Sequence, residues 1–384
     1  MAALSRVGIN AVFLRPRMGG LETYVRRLVP ELVRQRPDVR FSLFLNHEGR
    51  EYLAGEDWFR EVDVITHPLL GRRWFCALSE LTLLGELARR RRLDVLHSVA
   101  MTGPLSVRAA HVVMVGDVTW LHDPESTGRL TATLWKTVVP PVARRAQRVL
   151  TFSEATRRDL SEQFGLPVEK IDVVPLGYGV GEPAEPTSAV ELEQRFGLGD
   201  ARVILSVSAK RTHKNLMRLI RALALVRARV PAAVLVLPGN PTRHEEELKA
   251  EARTLGLAEA VRFPAYVGAA DLEGLYRLAS VVVFPSLREG FGLPILEAMR
   301  RGVPVACSNV SSLPEVGGKA VHYFDPLDDG AIADALIEVL TDPQLARRLV
   351  EAGLERANSF TWERTANGTL SSYERALKNG AVRR

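Results

Sequence analysis

Cysteine is nearly absent from this chain of 384 residues. Its two cysteines, Cys76 and Cys307, lie far apart, which excludes a disulfide framework and a cysteine-ligated structural metal and favours a reducing compartment. No apolar run approaches the roughly 20 residues that a membrane-spanning helix needs. The first residues include Arg6 and predict a strand and not a signal peptide. We therefore expect a cytoplasmic protein.

Lysine is scarce as well, and arginine supplies most of the positive charge. Of the 51 basic residues only seven are lysine, and the formal net charge is +6. Residues 1–180 hold 25 basic and 20 acidic residues, with arginine clusters such as Arg89 to Arg92. Such clusters are typical of solvated helix faces, or else of a surface that docks on an anionic membrane or a phosphate-bearing acceptor. Nucleic acid is not expected, because no aromatic residues are interleaved with the arginines.

The hydrophobic pattern predicts a doubly wound α/β protein with parallel sheets. Short β-branched runs alternate with helix-period segments, first from Val7 to about Val173 and again from Val203 to about Ala306. We predict two Rossmann-like domains, 1–180 and 201–359, which face each other across a ligand-binding cleft. Residues 181–200, rich in Pro, Glu and Ser at their start, are the expected linker. The C-terminal helix, 360–384, is expected to pack back on the first domain.

Two segments of the second domain are suited to a hydroxyl-rich, negatively charged ligand. After an apolar strand, Glu289 and Glu297 lie eight positions apart, one in a glycine-rich loop and one on the helix that follows. Ionised carboxylates accept hydrogen bonds from sugar hydroxyls, and a helix N-terminus favours anions. Earlier in the domain, at another strand-to-helix turn, stand the cations Lys210, Arg211 and Lys214. Basic residues at a helix start call for an anionic partner such as a diphosphate.

The stretch 284–299 closely resembles the two-glutamate motif of retaining glycosyltransferases of family four, which have the GT-B fold. The continuation 302–315 is similar to the same family, and Lys214-Asn215 resembles its Lys-Asn pair. The resemblance implies that Glu297 holds the ribose hydroxyls of a nucleotide-sugar donor and Glu289 those of the transferred sugar. It leaves open whether Lys210 or Arg211 is the second diphosphate cation. The implied donor-binding residues are Gly19, Gly20, Lys210, Lys214, Glu289, Gly290, Phe291, Gly292, Leu293 and Glu297.

The first domain departs from the family pattern at one position. Gly19 and Gly20 resemble its glycine loop, which approaches the donor diphosphate. The family usually carries His-Asp after the fifth strand, but here the pair is Gly116-Asp117. His122 and His97 are weak substitutes, and a histidine at a strand end is more often structural. The implied catalytic residues are Lys214, Arg211, Glu289 and Asp117.

Two hypotheses follow from the sequence. The first is a retaining transferase that moves a hexosyl group from a UDP- or GDP-sugar to a hydroxyl of a saccharide, glycolipid or natural product. No Asp-x-Asp pair occurs, so we expect no bridging metal and no cofactor. The alternative is a nucleotide-sugar-binding protein that has lost transfer activity or performs non-glycosidic chemistry, given Gly116. Peripheral contact with an anionic membrane is an independent expectation.

Overall fold

Two α/β units make up the chain in this computed structural model, which describes residues 4–16, 18–70, 76–178 and 184–381. Unit 1 is formed by Met1–Gly177 and Thr361–Arg384, and unit 2 by Tyr178–Phe360. Each unit has its own parallel sheet and its own buried core. The predicted fold class of two doubly wound parallel-sheet domains is confirmed.

The sheet of unit 1 has seven parallel strands in the order β3-β2-β1-β4-β5-β6-β7. Valine, isoleucine and leucine dominate them, and most of these side chains are buried, as expected for a sheet covered on both faces. The chain order reverses between β1 and β4. The strands are β1 Arg6–Asn10, β2 Arg40–Leu45, β3 Asp63–Thr66, β4 Val95–Ser98, β5 Ala110–Met114, β6 Arg148–Thr151 and β7 Ile171–Val173.

The N-terminal part of unit 1 contains eight helices within the described residues. Two of them, between β3 and β4, are separated at Thr82 (φ −121°, ψ −67°). Ser153 caps the helix that begins at Glu154 by accepting a hydrogen bond from the Thr156 N–H at 3.2 Å. The helices are α1 Gly20–Gln35, α2 His47–Leu53, α3 Cys76–Leu81, α4 Leu83–Arg90, α5 Thr119–His122, α6 Pro124–Thr127, α7 Arg129–Arg145 and α8 Glu154–Phe164, and 3₁₀ turns span Asp57–Glu61 and Val168–Lys170.

The C-terminal helix, Trp362–Ala381, lies on the sheet of unit 1. The Asp172 carboxylate on β7 accepts a hydrogen bond from Ser372 Oγ at 2.6 Å and pairs with Arg375 at 2.9 Å. Thr365 Oγ1 donates to the Pro175 carbonyl at 2.9 Å. These contacts, of which the two to Asp172 are charge-assisted, hold the C-terminal helix on unit 1.

The sheet of unit 2 has six parallel strands in the order β10-β9-β8-β11-β12-β13. The strands are β8 Arg202–Leu205, β9 Ala233–Val236, β10 Val261–Arg262, β11 Ala279–Phe284, β12 Val305–Ser308 and β13 His322–Phe324. The helices are α9 Ala189–Phe196, α10 Leu216–Arg229, α11 His244–Thr254, α12 Ala269–Leu278, α13 Leu293–Arg300, α14 Leu313–Gly317, α15 Asp329–Thr341 and α16 Pro343–Ala357, and 3₁₀ turns span Thr212–Lys214 and Ala258–Ala260.

Of the segment 181–200, expected to be a linker, the described residues 184–200 contain the helix α9 and belong to unit 2. Ser188 caps this helix by accepting from the Glu191 N–H at 3.3 Å. Leu192 is fully buried and packs on α12 at Gly274, where an added Cβ would lie 2.5 Å from the leucine. Arg195 pairs with Asp271 of α12 at 2.6 Å. The polar composition at the start of the segment led to the linker prediction. The residues that follow instead form an amphipathic helix that packs on α12.

Candidate functional site

The strand order of unit 2 reverses between the neighbouring strands β8 and β11. In open α/β sheets, ligands bind beyond the carboxyl ends of the strands at such a point. Ser206 follows β8 and Ser286 lies just beyond β11, and each is only 1% exposed. Within the described parts of the chain, both buried hydroxyl oxygens lack a hydrogen-bond partner. Because buried polar groups are normally paired, these hydroxyls fit a site that a polar ligand completes.

Lys214 and Glu289, separated by 75 positions, form an ion pair at this edge of the sheet. Lys214 Nζ lies 2.6 Å from Glu289 Oε1, and their side chains are 16% and 13% exposed. Asn215 fixes the turn that carries Lys214, because its Nδ2 donates to the carbonyl oxygens of Pro285 at 3.1 Å and Pro326 at 2.7 Å. The structure thus places a cation and a carboxylate where a charged, hydroxyl-bearing ligand would meet both.

The loop that carries Glu289 is held by two serines of the following strand-to-helix connection. Ser311 Oγ donates to the Glu289 carbonyl at 2.8 Å and accepts from the Glu289 N–H at 3.2 Å. Ser312 Oγ donates to the Phe291 carbonyl at 2.8 Å. Gly292 then caps α13 at φ 117°, a conformation that only glycine adopts readily. The backbone between Gly290 and Leu293 is therefore fixed at the positive end of α13.

Glu297 lies half-buried on α13 within a polar network. It accepts a hydrogen bond from the Tyr276 hydroxyl at 3.0 Å, and its own carbonyl accepts from Arg301 Nη1 at 2.9 Å. Arg301 also pairs with the buried Glu273 at 2.6 Å. Burial raises the pKa of the Glu297 carboxyl, and the nearby Arg301 guanidinium opposes the rise. The network holds the carboxylate in one orientation, as a recognition residue requires.

The two remaining cations of this region differ sharply in exposure. The side chain of Lys210 is fully buried, and its Nζ donates to the carbonyls of Gly239 at 2.8 Å and Pro264 at 3.3 Å. Its third polar neighbour is Glu245, at 3.3 Å. Arg211, in contrast, is exposed at the start of the Lys214 turn. Lys210 makes its hydrogen bonds and its ion pair with groups inside unit 2. Arg211 is therefore the better placed of the two to bind a phosphate.

In unit 1 the predicted residues follow β1 and β5, which β4 separates in the sheet. Gly19 caps α1 at φ 66°, where an added Cβ would have no described atom beyond its chain neighbours within 4 Å, and Gly20 is the first helical residue. Asp117 is half-buried, and its Oδ1 accepts from the Thr119 N–H at 2.8 Å. A Cβ on Gly116 would lie 2.9 Å from the Phe152 ring. The open helix N-terminus at Gly19 suits an anion, whereas the space beside Gly116 is already filled.

His97 belongs to the interior of unit 1. It is fully buried on β4, and its Nδ1 lies 2.8 Å from the Tyr373 hydroxyl of the C-terminal helix. Burial lowers its pKa to about 3. His122 lies at the end of α5 and is exposed. These contacts support a structural role for His97 and not a catalytic one.

The buried histidines should make unit 1 sensitive to acid. Burial lowers the pKa of His97 to about 3 and that of His111 to about 4, from an ordinary value of 6.5. Because both values lie below the unfolded one, their stabilisation is complete above pH 6.5 and is lost as the pH falls toward 4. Each histidine contributes at most about 1.4 kcal/mol per pH unit. Urea unfolding between pH 7.5 and 4.5 should show a shallower pH slope for His97→Gln/His111→Gln than for the wild type; equal slopes would contradict this account.

Two protein-family models match the chain one after the other. The model for Glycosyltransferase Family 4 matches residues 18–180, and the model for Glycosyl transferases group 1 matches residues 191–356. The GDP-mannose-dependent alpha-(1-6)-phosphatidylinositol monomannoside mannosyltransferase of Mycolicibacterium smegmatis is 30% identical over 393 residues, or 93% of this chain and 94% of that protein. The chain belongs to glycosyltransferase family 4.

Further similarities agree with this assignment. O-antigen chain mannosyltransferase B of Escherichia coli is 34% identical over 235 residues, so the match spans 60% of this glycosyltransferase and only 61% of that relative. A glycosyltransferase from Rickettsia africae has the same fold, with a TM-score of 0.72 at 16% identity, over 98% of this chain and 99% of that one. The predicted family and GT-B fold are confirmed. In the described part of the glycosyltransferase, no helix is both long enough and apolar enough to cross a membrane.

Sequence reasoning missed several residues that shape the site of this glycosyltransferase. Tyr276 and Arg301 hold Glu297, and Ser311 and Ser312 fix the Glu289 loop. The serines lie in the segment that resembled the family, but no role was predicted for them. Tyr276 carries no local signal, because it comes from α12, 21 positions away from its partner.

Proposed function

We propose that this glycosyltransferase moves a hexosyl group from a nucleoside-diphosphate sugar to an acceptor hydroxyl, with retention of anomeric configuration and without a metal ion. The observation that carries the proposal is the Lys214–Glu289 pair at the reversal point of the unit 2 sheet. A cation and a carboxylate held together there match the two halves of the donor, its diphosphate and its sugar.

In the proposed reaction the bond between the anomeric carbon and the diphosphate oxygen breaks as the acceptor oxygen bonds to the same face of the sugar. Lys214 and Arg211 stabilise the negative charge that grows on the leaving diphosphate. The acceptor proton passes to the departing phosphate oxygen, so atoms and charge balance. Glu289 accepts hydrogen bonds from the sugar hydroxyls, and Glu297 accepts those from the ribose hydroxyls. The contributions of Gly19, Gly20 and Asp117 in unit 1 stay predictions.

GDP-mannose is the first donor to test, because the full-length relative is named as GDP-mannose-dependent and a second relative is a mannosyltransferase. Thermal unfolding with GDP, UDP, ADP or dTDP identifies the nucleotide, since a ligand at 100 times its Kd stabilises by about 2.7 kcal/mol. Product analysis with the matching nucleotide sugar and saccharide or glycolipid acceptors then tests transfer, and the anomeric configuration of the product tests retention. No stabilisation by any nucleotide would overturn the donor site.

Chelation should leave transfer intact. Protein cations supply the counter-charge for the diphosphate in the proposed site, so we expect activity within about twofold of the untreated enzyme after dialysis against EDTA. Added Mg²⁺ should not raise it further. If activity were lost on chelation and restored by Mg²⁺ or Mn²⁺, a metal ion would neutralise the diphosphate together with Lys214 and Arg211.

A second candidate function is nucleotide-sugar binding without glycosyl transfer. The observation that favours it is the environment of Gly116, where a Cβ would lie 2.9 Å from the Phe152 ring, so that a larger side chain requires the ring to move. Incubation with donor alone and with donor plus acceptor separates the two candidates. Binding without a glycosylated product over a broad acceptor panel would support the second. Peripheral contact with an anionic membrane also stays a prediction.

Restoring the family histidine should destabilise the fold. Gly116→His places a ring where even a Cβ lies 2.9 Å from Phe152, and overpacking costs about 1–3 kcal/mol. Urea unfolding should show this loss in Gly116→His, and a smaller effect of the same substitution in a Phe152→Ala background. An unchanged midpoint for Gly116→His would mean that the position accepts a histidine freely.

A further inference from the structure

An arginine-lined cavity opens at the end of the unit 1 sheet opposite to the loops of Gly19 and Asp117. It lies where the first three strands begin, and its volume is about 380 Å³. That volume falls within the usual range of small-ligand pockets. Five arginines from three separate elements line it: Arg6, Arg40, Arg90, Arg91 and Arg92.

Two of these arginines come from neighbouring strands. Arg6 begins β1 and Arg40 begins β2, and the two are direct register partners. Like charges directly opposite each other in a sheet are unfavourable unless another group compensates. Arg40 donates two hydrogen bonds to the Asp63 carboxylate, from Nε at 2.6 Å and from Nη2 at 3.2 Å. This ion pair compensates one of the two charges. Arg6 is exposed beside it and is free to meet an anion from solution.

The other three arginines lie at the end of α4, in an unusual backbone conformation. Arg92 has φ 52°, in the left-handed region where glycine is the usual residue after a helix. The Leu93 N–H donates to the Ala88 carbonyl at 3.2 Å, which closes the turn around it. A non-glycine residue there costs about 1–2 kcal/mol, so an arginine at this position opposes stability. Strain of this kind is typical of functional positions.

The acidic groups near the cavity already have partners. Glu86 pairs with Arg89 at 2.6 Å and with Arg90 at 2.8 Å. Asp94 Oδ2 accepts from the backbone N–H groups of Ser5 and Arg6 at 2.9 and 2.8 Å and so is directed at the main chain.

In the described part of unit 1, three guanidinium groups of the cavity are exposed and have no carboxylate partner. Among the residues that the structure describes, Arg6, Arg91 and Arg92 form no ion pair with a carboxylate. The dipole of α4 accounts for basic residues in its last turn. It does not account for Arg6, which comes from a strand.

We propose that this cavity binds a phosphate-bearing anion of about the size of a diphosphate. Arginine forks match phosphate oxygens in pairs, and guanidinium groups from three elements can surround such an anion on several sides. The anion can be free in solution or can be the headgroup of a lipid. The site is independent of the proposed donor site, which lies in unit 2.

Calorimetric titration of the full chain with inorganic pyrophosphate tests this site. The variant Arg91→Ala/Arg92→Gly removes two charges, and glycine relieves the left-handed backbone, so the fold should be preserved. The matched control Arg347→Ala/Arg348→Ala removes two arginines from α16 in unit 2. All titrations are made with Lys214→Ala, which weakens the proposed donor site, and are repeated with Lys214 intact.

We expect pyrophosphate affinity to fall at least tenfold in Arg91→Ala/Arg92→Gly and to stay within twofold in the control. Co-sedimentation with phosphatidic acid vesicles and with neutral phosphatidylcholine vesicles identifies the source of the anion. Pyrophosphate binding without vesicle binding indicates a free phosphate compound, and vesicle binding that the cavity variant abolishes indicates a lipid headgroup. Equal losses in the two double variants, or binding of neither probe by the wild type, would overturn the proposal.

Discussion

Lys214→Ala should lower kcat/KM by about 100- to 1,000-fold, the range found when one group that stabilises transition-state charge is removed. In the free enzyme its ammonium lies 2.6 Å from Glu289, and both side chains are largely withdrawn from water. In the proposed reaction the negative charge on the diphosphate grows as the glycosidic bond breaks, so the cation matters more in the transition state than in the ground state. The loss should therefore fall more on kcat than on KM. Initial rates over a range of donor concentrations measure both constants.

The control for this substitution is Lys319→Ala, which removes an exposed lysine from the same unit. It should leave both constants within about twofold. Loss of Lys214 also leaves Glu289 half-buried without its partner, so rates must be measured well below the unfolding temperature of the variant. A Lys214→Ala enzyme with near-wild-type kcat would remove Lys214 from the chemistry, whatever its effect on stability.

The strands and the position of the site could be predicted because both depend on local pattern. Val281–Phe284 is a short apolar run that ends at turn residues, and it is the core of β11. Lys214 and Glu289 each follow a strand of the same parallel sheet, so their presence at one edge follows from the topology. Their separation of 2.6 Å does not, since it depends on Asn215 bonding to the carbonyls of Pro285 and Pro326.

Other features depend on contacts between distant segments and gave no local signal. Lys210 was grouped with Lys214 by sequence proximity, but its side chain turns inward to Gly239, Pro264 and Glu245. The helix α9 was not predicted, because its segment begins with polar residues and the contact that stabilises the helix, Leu192 on α12, is made with a distant part of the chain. Strand β13 has only three residues, too few for a periodic pattern.

Glu297→Gln should separate donor recognition from stability, because the two are expected to change in opposite directions. Hydrogen bonds to a charged group contribute about 1.5–3 kcal/mol each, and the proposed role gives Glu297 two ribose hydroxyls. We expect kcat/KM to fall by about 100-fold or more, with weaker binding of the free nucleotide. Titration calorimetry with the nucleotide and initial-rate kinetics measure these losses. Glu351→Gln, an exposed glutamate on α16, is the control and should change neither.

The stability of the same variant follows from the raised pKa of Glu297, which burial causes. A carboxyl whose folded pKa lies above its unfolded value binds more protons in the folded state. Its contribution is therefore favourable below its ordinary pKa and is lost as the pH rises through the raised one. Above the raised pKa the wild type holds a charge in a largely water-excluded site that glutamine does not carry, so the variant should unfold at an equal or higher urea concentration there. The difference should grow as the pH rises through the raised pKa. A variant that loses stability at pH 7 would mean that Tyr276 and Arg301 more than offset the cost of burying this carboxylate, in which case Glu297 supports the fold as well as the donor.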